Sequence, residues 1–124
     1  MYKQELLDHY KNPQNYGSLK SPDFIVENVN PSCGDEVKIE AKIINDVLHD
    51  IKFSGRGCVI SQAAASMLTE QVKGKNTQEI LDLDIDFVRN LIDLDLGPTR
   101  MRCAMLALEA LKKGLTDYLG SSSK

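Results

Sequence analysis

Apolar and charged residues alternate without a break from Val37 to Ile43. Val37, Ile39, Ala41 and Ile43 are apolar, and Lys38, Glu40 and Lys42 stand between them. Successive side chains of an extended strand point to opposite faces, so this period of two predicts a strand with one buried face. Asn45-Asp46 supplies turn chemistry, and Leu48 to Phe53 predicts the returning strand of a hairpin. Phe24-Ile25-Val26 predicts one more strand. The first half therefore reads as a small antiparallel sheet of about three strands.

The period changes in the second half. Ile60, Ala64, Met67, Leu68 and Val72 recur at helical spacing and stop near Lys73-Gly74. Thr77 to Leu81 and Asp84 to Ile92 predict two shorter helices, the second opening on the acidic run Asp82-Leu83-Asp84-Ile85-Asp86. After Pro98 a long final helix carries Met101, Met105, Leu108, Leu111, Leu115 and Leu119 on one stripe. Residues 2–11 predict a first helix, ended at Asn12-Pro13 because proline disfavours helix in the residue before it. Strands followed by helices predict an α+β domain over residues 1–120, with helices on one face of the sheet. Residues 121–124 read as a polar tail.

Composition narrows the function classes. A chain of 124 residues with 42% hydrophobic content fits one core. Net charge is -3 and no basic cluster is present, which argues against nucleic acid as a partner. No apolar run approaches the roughly 20 residues needed to span a bilayer. Met1 to Glu5 lack the apolar core of a secretory signal, so a cytoplasmic location is expected.

The three cysteines change the picture further. An odd number without an export signal does not suggest a disulfide framework. Each cysteine falls at the edge of a predicted element: Cys33 before the alternating strand, Cys58 between the hairpin and the Ala-rich helix, and Cys103 in about the first turn of the last helix. Thiols at helix N-termini meet unpaired N–H groups and the positive end of the dipole, which favours thiolate. Gly34 and Gly57 permit close backbone approach. At about 100° per residue, Cys103 lies off the large apolar stripe, on a small-residue flank with Ala107, Ala110 and Gly114. Three thiols, with Asp35 two residues after Cys33, form a set that selects zinc, copper(I) or iron–sulfur clusters over harder ions. The cysteine spacing matches no short zinc-finger pattern.

Four segments carry a resemblance: His9-Tyr10-Lys11-Asn12-Pro13, Asn30-Pro31-Ser32-Cys33-Gly34-Asp35, Gly57-Cys58-Val59-Ile60-Ser61 and Arg102-Cys103-Ala104. In this order they resemble the IscU/SufU/NifU-type iron–sulfur cluster scaffold family. The resemblance implies a scaffold, not an enzyme, that accepts persulfide sulfur from a cysteine desulfurase and iron from an iron donor. It would build a transient 2Fe–2S cluster and deliver it to apo iron–sulfur proteins. It also implies Cys33, Cys58, Cys103 and Asp35 as ligands, Cys103 as the persulfide acceptor with Cys58 second, and zinc as an occupant at rest. Tyr2 matches a family tyrosine near the N-terminus.

Two departures keep an alternative open. Arg102 stands where the IscU branch has a histidine before the third cysteine, and a permanently protonated guanidinium is no metal ligand. It resembles the SufU branch, whose members act as zinc-dependent sulfur acceptors, yet the insertion usual in that branch is missing. Leu96-Gly97-Pro98-Thr99-Arg100 replaces the Leu-Pro-Pro-Val-Lys motif read by a DnaK-like chaperone. Arg56, Arg100 and Arg102 could rim the thiols, and His9 and His49 are reserve ligands better explained as ordinary packing or surface residues.

Overall fold

Three antiparallel strands, β1 (Phe24–Asn30), β2 (Asp35–Ile44) and β3 (Val47–Arg56), form one sheet in the order β1-β2-β3. The computed structural model describes residues 3–32 and 34–122. Asn45 and Asp46 both take positive φ, 52° and 62°, so the hairpin closes through two left-handed residues. Such a turn follows the right-handed twist of its strands. Between Lys42 and Ile43 the register shifts: Lys42 pairs with Asp50, but Ile43 pairs with Leu48. The extra residue on β3 lets Leu48 and Ile51, three apart, both face inward, which a strict alternation forbids.

The inward row of Val37, Ile39, Ala41, Ile43, Leu48, Ile51 and Phe53 is buried under helices. α1 (Gln4–Lys11) and α5 (Pro98–Ser122) both pack against α2 (Val59–Val72), and α2 and α5 lie on the sheet. α2 is buried almost all round, as its run of alanines requires. Its buried hydroxyls are satisfied: Ser66 Oγ accepts from Gln14 N at 2.7 Å, and Thr69 Oγ1 donates to the Ser66 carbonyl at 2.7 Å.

α3 (Thr77–Leu81) starts with a capping box from Asn76 and Glu79. The acidic run resolves into the start of α4 (Ile85–Ile92), where Asp84 accepts from the N–H groups of Asp86 and Phe87. Pro98 is the first residue of α5, where its missing N–H costs nothing. α5 continues to Ser122, so the first part of the expected tail is helical. Among the described residues no helix is long and apolar enough to cross a membrane.

β1 is longer than expected. Its inward positions continue past Phe24 and Val26 to Asn28 and Asn30, while Ile25, Glu27 and Val29 face outward. Polar residues on the inward row hid the strand from a reading of hydrophobic alternation.

Candidate metal centre

At one end of the sheet, β1 ends at Asn30, β2 starts at Asp35, β3 ends at Arg56 and α2 starts at Val59. Glu36 pairs with Arg56 across β2 and β3, which sets Asp35 beside the turn into α2. Asp35 is 2% exposed. Its Oδ1 accepts the Cys58 N–H at 2.8 Å, and its Oδ2 accepts from Cys58 Sγ at 3.3 Å.

Cys58 is the N-cap of α2, and its sulfur accepts the Ser61 N–H at 3.4 Å. Ser, Thr, Asp and Asn usually fill that position; a thiol there meets the same N–H groups and the same positive dipole end. Gly57 makes the approach possible. Its φ is +148°, and a Cβ there would stand 2.7 Å from Asp35 Cγ and 2.9 Å from Ser61 Oγ. No larger residue fits without displacing the carboxylate.

Cys103 reaches the same point from α5. The ligand atoms of Asp35, Cys58 and Cys103 all lie within 4.8 Å of one another. Cys58 is exposed, whereas Cys103 is 4% exposed and belongs to the core. One expectation about Cys103 changes here. α5 begins at Pro98, so Cys103 lies beyond its first turn, and of the two described cysteines Cys58 alone meets a helix N-terminus. The small-residue flank is closely packed: Ala107 and Ala110 are buried, because α5 packs on β1 and β2 as well as on α2. Cys33 and Tyr2 lie outside the described residues.

The donor set fits a thiophilic ion. Two sulfurs and one carboxylate oxygen within 4.8 Å are close to the about 3.5–4 Å ligand separations of a tetrahedral zinc site. The chemistry excludes magnesium and calcium, which take oxygen ligands.

Other sequence candidates fall elsewhere. His9 joins α1 to α2, with Nδ1 2.7 Å from Ser66 Oγ and Nε2 3.4 Å from Glu70. His49 is exposed on β3, and no histidine belongs to the metal-ligating group among the described residues. Arg56 pairs with Glu36 at 3.1 Å. Arg100 and Arg102 are exposed on α5, and Arg102 lines a groove with Asn30 and Pro31. Sequence reasoning missed Asn30 and Ser61. Asn30 Nδ2 contacts Cys103 Sγ at 3.9 Å; its signal was the inward parity of β1.

Comparison with known proteins gives one family. A model of the NifU-like N-terminal domain matches residues 1–124. The zinc-dependent sulfurtransferase SufU of Bacillus subtilis is 34% identical over 98% of this chain and 94% of its own length. That alignment spans 139 residues, more than the 124 of this chain, so SufU carries positions with no counterpart here. The iron–sulfur cluster assembly scaffold protein IscU 1 of Archaeoglobus fulgidus is 36% identical over 100% of the chain and 80% of its own length. Among solved structures, a putative iron–sulfur cluster assembly scaffold for the SUF system from Fervidobacterium islandicum superposes with TM-score 0.82. It is 28% identical, over 92% of this chain and 96% of that one.

Proposed function

Because the chain belongs to the NifU-like N-terminal domain family, we propose that it is a scaffold on which 2Fe–2S clusters are assembled and then passed to apo-proteins. The observation that supports this most is the convergence of Asp35, Cys58 and Cys103 at one sheet end. Cys33 precedes Asp35 by two residues in the chain and completes a set of three thiols and one carboxylate. An iron–sulfur cargo usually takes four cysteines. A carboxylate in the fourth place holds it less firmly and favours its release.

Zinc would be held by the same four residues at rest, where its charge would keep the thiols ionised and protected. The protein groups do the rest. Asp35 holds the Cys58 backbone, and the Ser61 N–H at the start of α2 points at the Cys58 sulfur. Sulfur enters from the persulfide of a cysteine desulfurase. The Cys103 thiolate attacks the outer sulfur of that persulfide, a new S–S bond forms on Cys103, and the donor cysteine leaves as thiolate. Cys103 takes this role from a buried position in α5; Cys58, exposed in the same site, is the second acceptor.

A second reading is supported by Arg102 and by the 34% identity to a protein named as a zinc-dependent sulfurtransferase. In it the chain accepts sulfur from the desulfurase and relays it without building a cluster. Anaerobic incubation with ferrous iron, cysteine, a desulfurase and a thiol reductant, which supplies the electrons that turn persulfide sulfur into sulfide, separates the two. The scaffold gains the visible absorption of a 2Fe–2S cluster; retained zinc with faster desulfurase turnover and no colour would select the sulfur relay.

A further inference from the structure

We propose that Asn30 is a positioning residue of this centre, tying the segment that leads into Asp35 to the sulfur of Cys103. The inference rests on the reading of Asp35, Cys58 and Cys103 as ligands. Asn30 is the last residue of β1 and is 8% exposed. Its carbonyl accepts the Gly34 N–H at 2.8 Å, and its Oδ1 accepts the Ser32 N–H at 3.2 Å. Its Nδ2 contacts Cys103 Sγ at 3.9 Å. The two chain neighbours of Cys33 and the sulfur of Cys103 are thus held by one amide side chain and its own carbonyl.

Each part of that side chain has a separate task. The Oδ1 closes a turn two residues on, a geometry in which asparagine imitates backbone. The Nδ2 supplies a donor to a sulfur, a contact that strengthens when the acceptor is ionised. One step back on the same inward row, Asn28 Nδ2 donates to the Leu106 carbonyl at 3.2 Å. β1 therefore grips α5 at two successive levels, and the level nearer the strand end carries the ligand. A leucine at position 30 would be buried equally well but would offer neither contact. Aspartate would keep the turn and set a negative charge against the sulfur.

Outer-shell partners of metal ligands fix ligand orientation, and their loss typically lowers metal affinity by about 10- to 100-fold. The test uses cobalt(II) bound to the full chain, because its visible absorption reports thiolate ligation and tetrahedral geometry directly. Asn30→Ala is expected to weaken cobalt binding by about 10-fold or more and to change the ligand-field bands. Asn30→Ser keeps an acceptor for the Ser32 N–H but is too short to reach Cys103, and is expected to fall between parent and Asn30→Ala. A purely structural role would lower the urea midpoint and leave the cobalt spectrum unchanged; that result overturns the inference. So does a parent-like spectrum and affinity in Asn30→Ser, whether or not Asn30→Ala folds. Either result leaves the site reading intact. Failure of the parent chain to bind cobalt overturns the site reading and this inference with it.

Discussion

Asp35 holds Cys58 twice, accepting from its backbone N–H at 2.8 Å through one oxygen and from its sulfur at 3.3 Å through the other. A single buried carboxylate therefore fixes both the start of α2 and the position of a thiol. Asp35→Ala removes both acceptors, and because these bonds to Cys58 are only partly buried the expected loss is about 1 kcal/mol. Asp35→Asn keeps an oxygen for the Cys58 N–H and should lose less. Urea unfolding checks this; equal midpoints for parent and Asp35→Ala would show that the carboxylate does not organise the helix start.

Gly57→Ala tests the close approach. A Cβ would enter the space of Asp35 and Ser61 at a φ of +148°. The expected loss is at least about 1 kcal/mol, with weaker metal binding because the carboxylate must move. Gly97→Ala is the control: nothing lies within 4 Å of its added Cβ, and a change within about 0.5 kcal/mol is expected. Equal metal affinity in Gly57→Ala and parent would contradict the account.

Lys73 gives a pH-dependent contribution away from the centre. It donates to Asn15 Oδ1 at 2.9 Å and pairs with Asp50 at 3.3 Å, joining the end of α2 to β3 and to the segment beside it. Burial acts to raise the Asp50 pKa, but the Ile51 N–H and the Lys73 charge outweigh it and hold the carboxyl below its usual 3.8. A depressed folded pKa stabilises above 3.8, and that contribution disappears as pH falls through the lower folded value. The pair is more than one-third exposed, so Lys73→Gln should cost less than about 1 kcal/mol at neutral pH. The difference in urea midpoint between parent and variant should narrow in acid; a difference that widens there would refute the assignment.

Sulfur loading distinguishes the thiols. With persulfide detected by mass after reaction with a desulfurase and cysteine, Cys103→Ser should abolish loading and Cys58→Ser should reduce it. Intact loading in Cys103→Ser, with none in Cys58→Ser, would transfer the acceptor role to the exposed thiol.

Much of this was legible in the residues. The alternation from Val37 to Ile43 marked β2, Asn45-Asp46 marked its turn, and Cys58 between Gly57 and the Ala-rich helix marked a helix start. What was not legible has physical reasons. Asn28 and Asn30 sit on the inward row of β1 because their amides bind α5, so a search for apolar alternation stopped at Val26. The burial of Cys103 could not be read from one helical stripe, because α5 is covered by the sheet and by α2 together. The bulge that lets Leu48 and Ile51 both face inward appears only in the pairing of the strands.

Cluster transfer tests the central claim most directly. The chain is loaded anaerobically with ferrous iron, cysteine, a desulfurase and a thiol reductant that releases the persulfide sulfur as sulfide, separated from free iron, and mixed with an apo-ferredoxin. The account expects 2Fe–2S absorption on the chain that passes to the ferredoxin as the chain loses its colour, and neither step in Cys58→Ser. A parent chain that keeps stoichiometric zinc, gains no cluster absorption and only accelerates the desulfurase would contradict it.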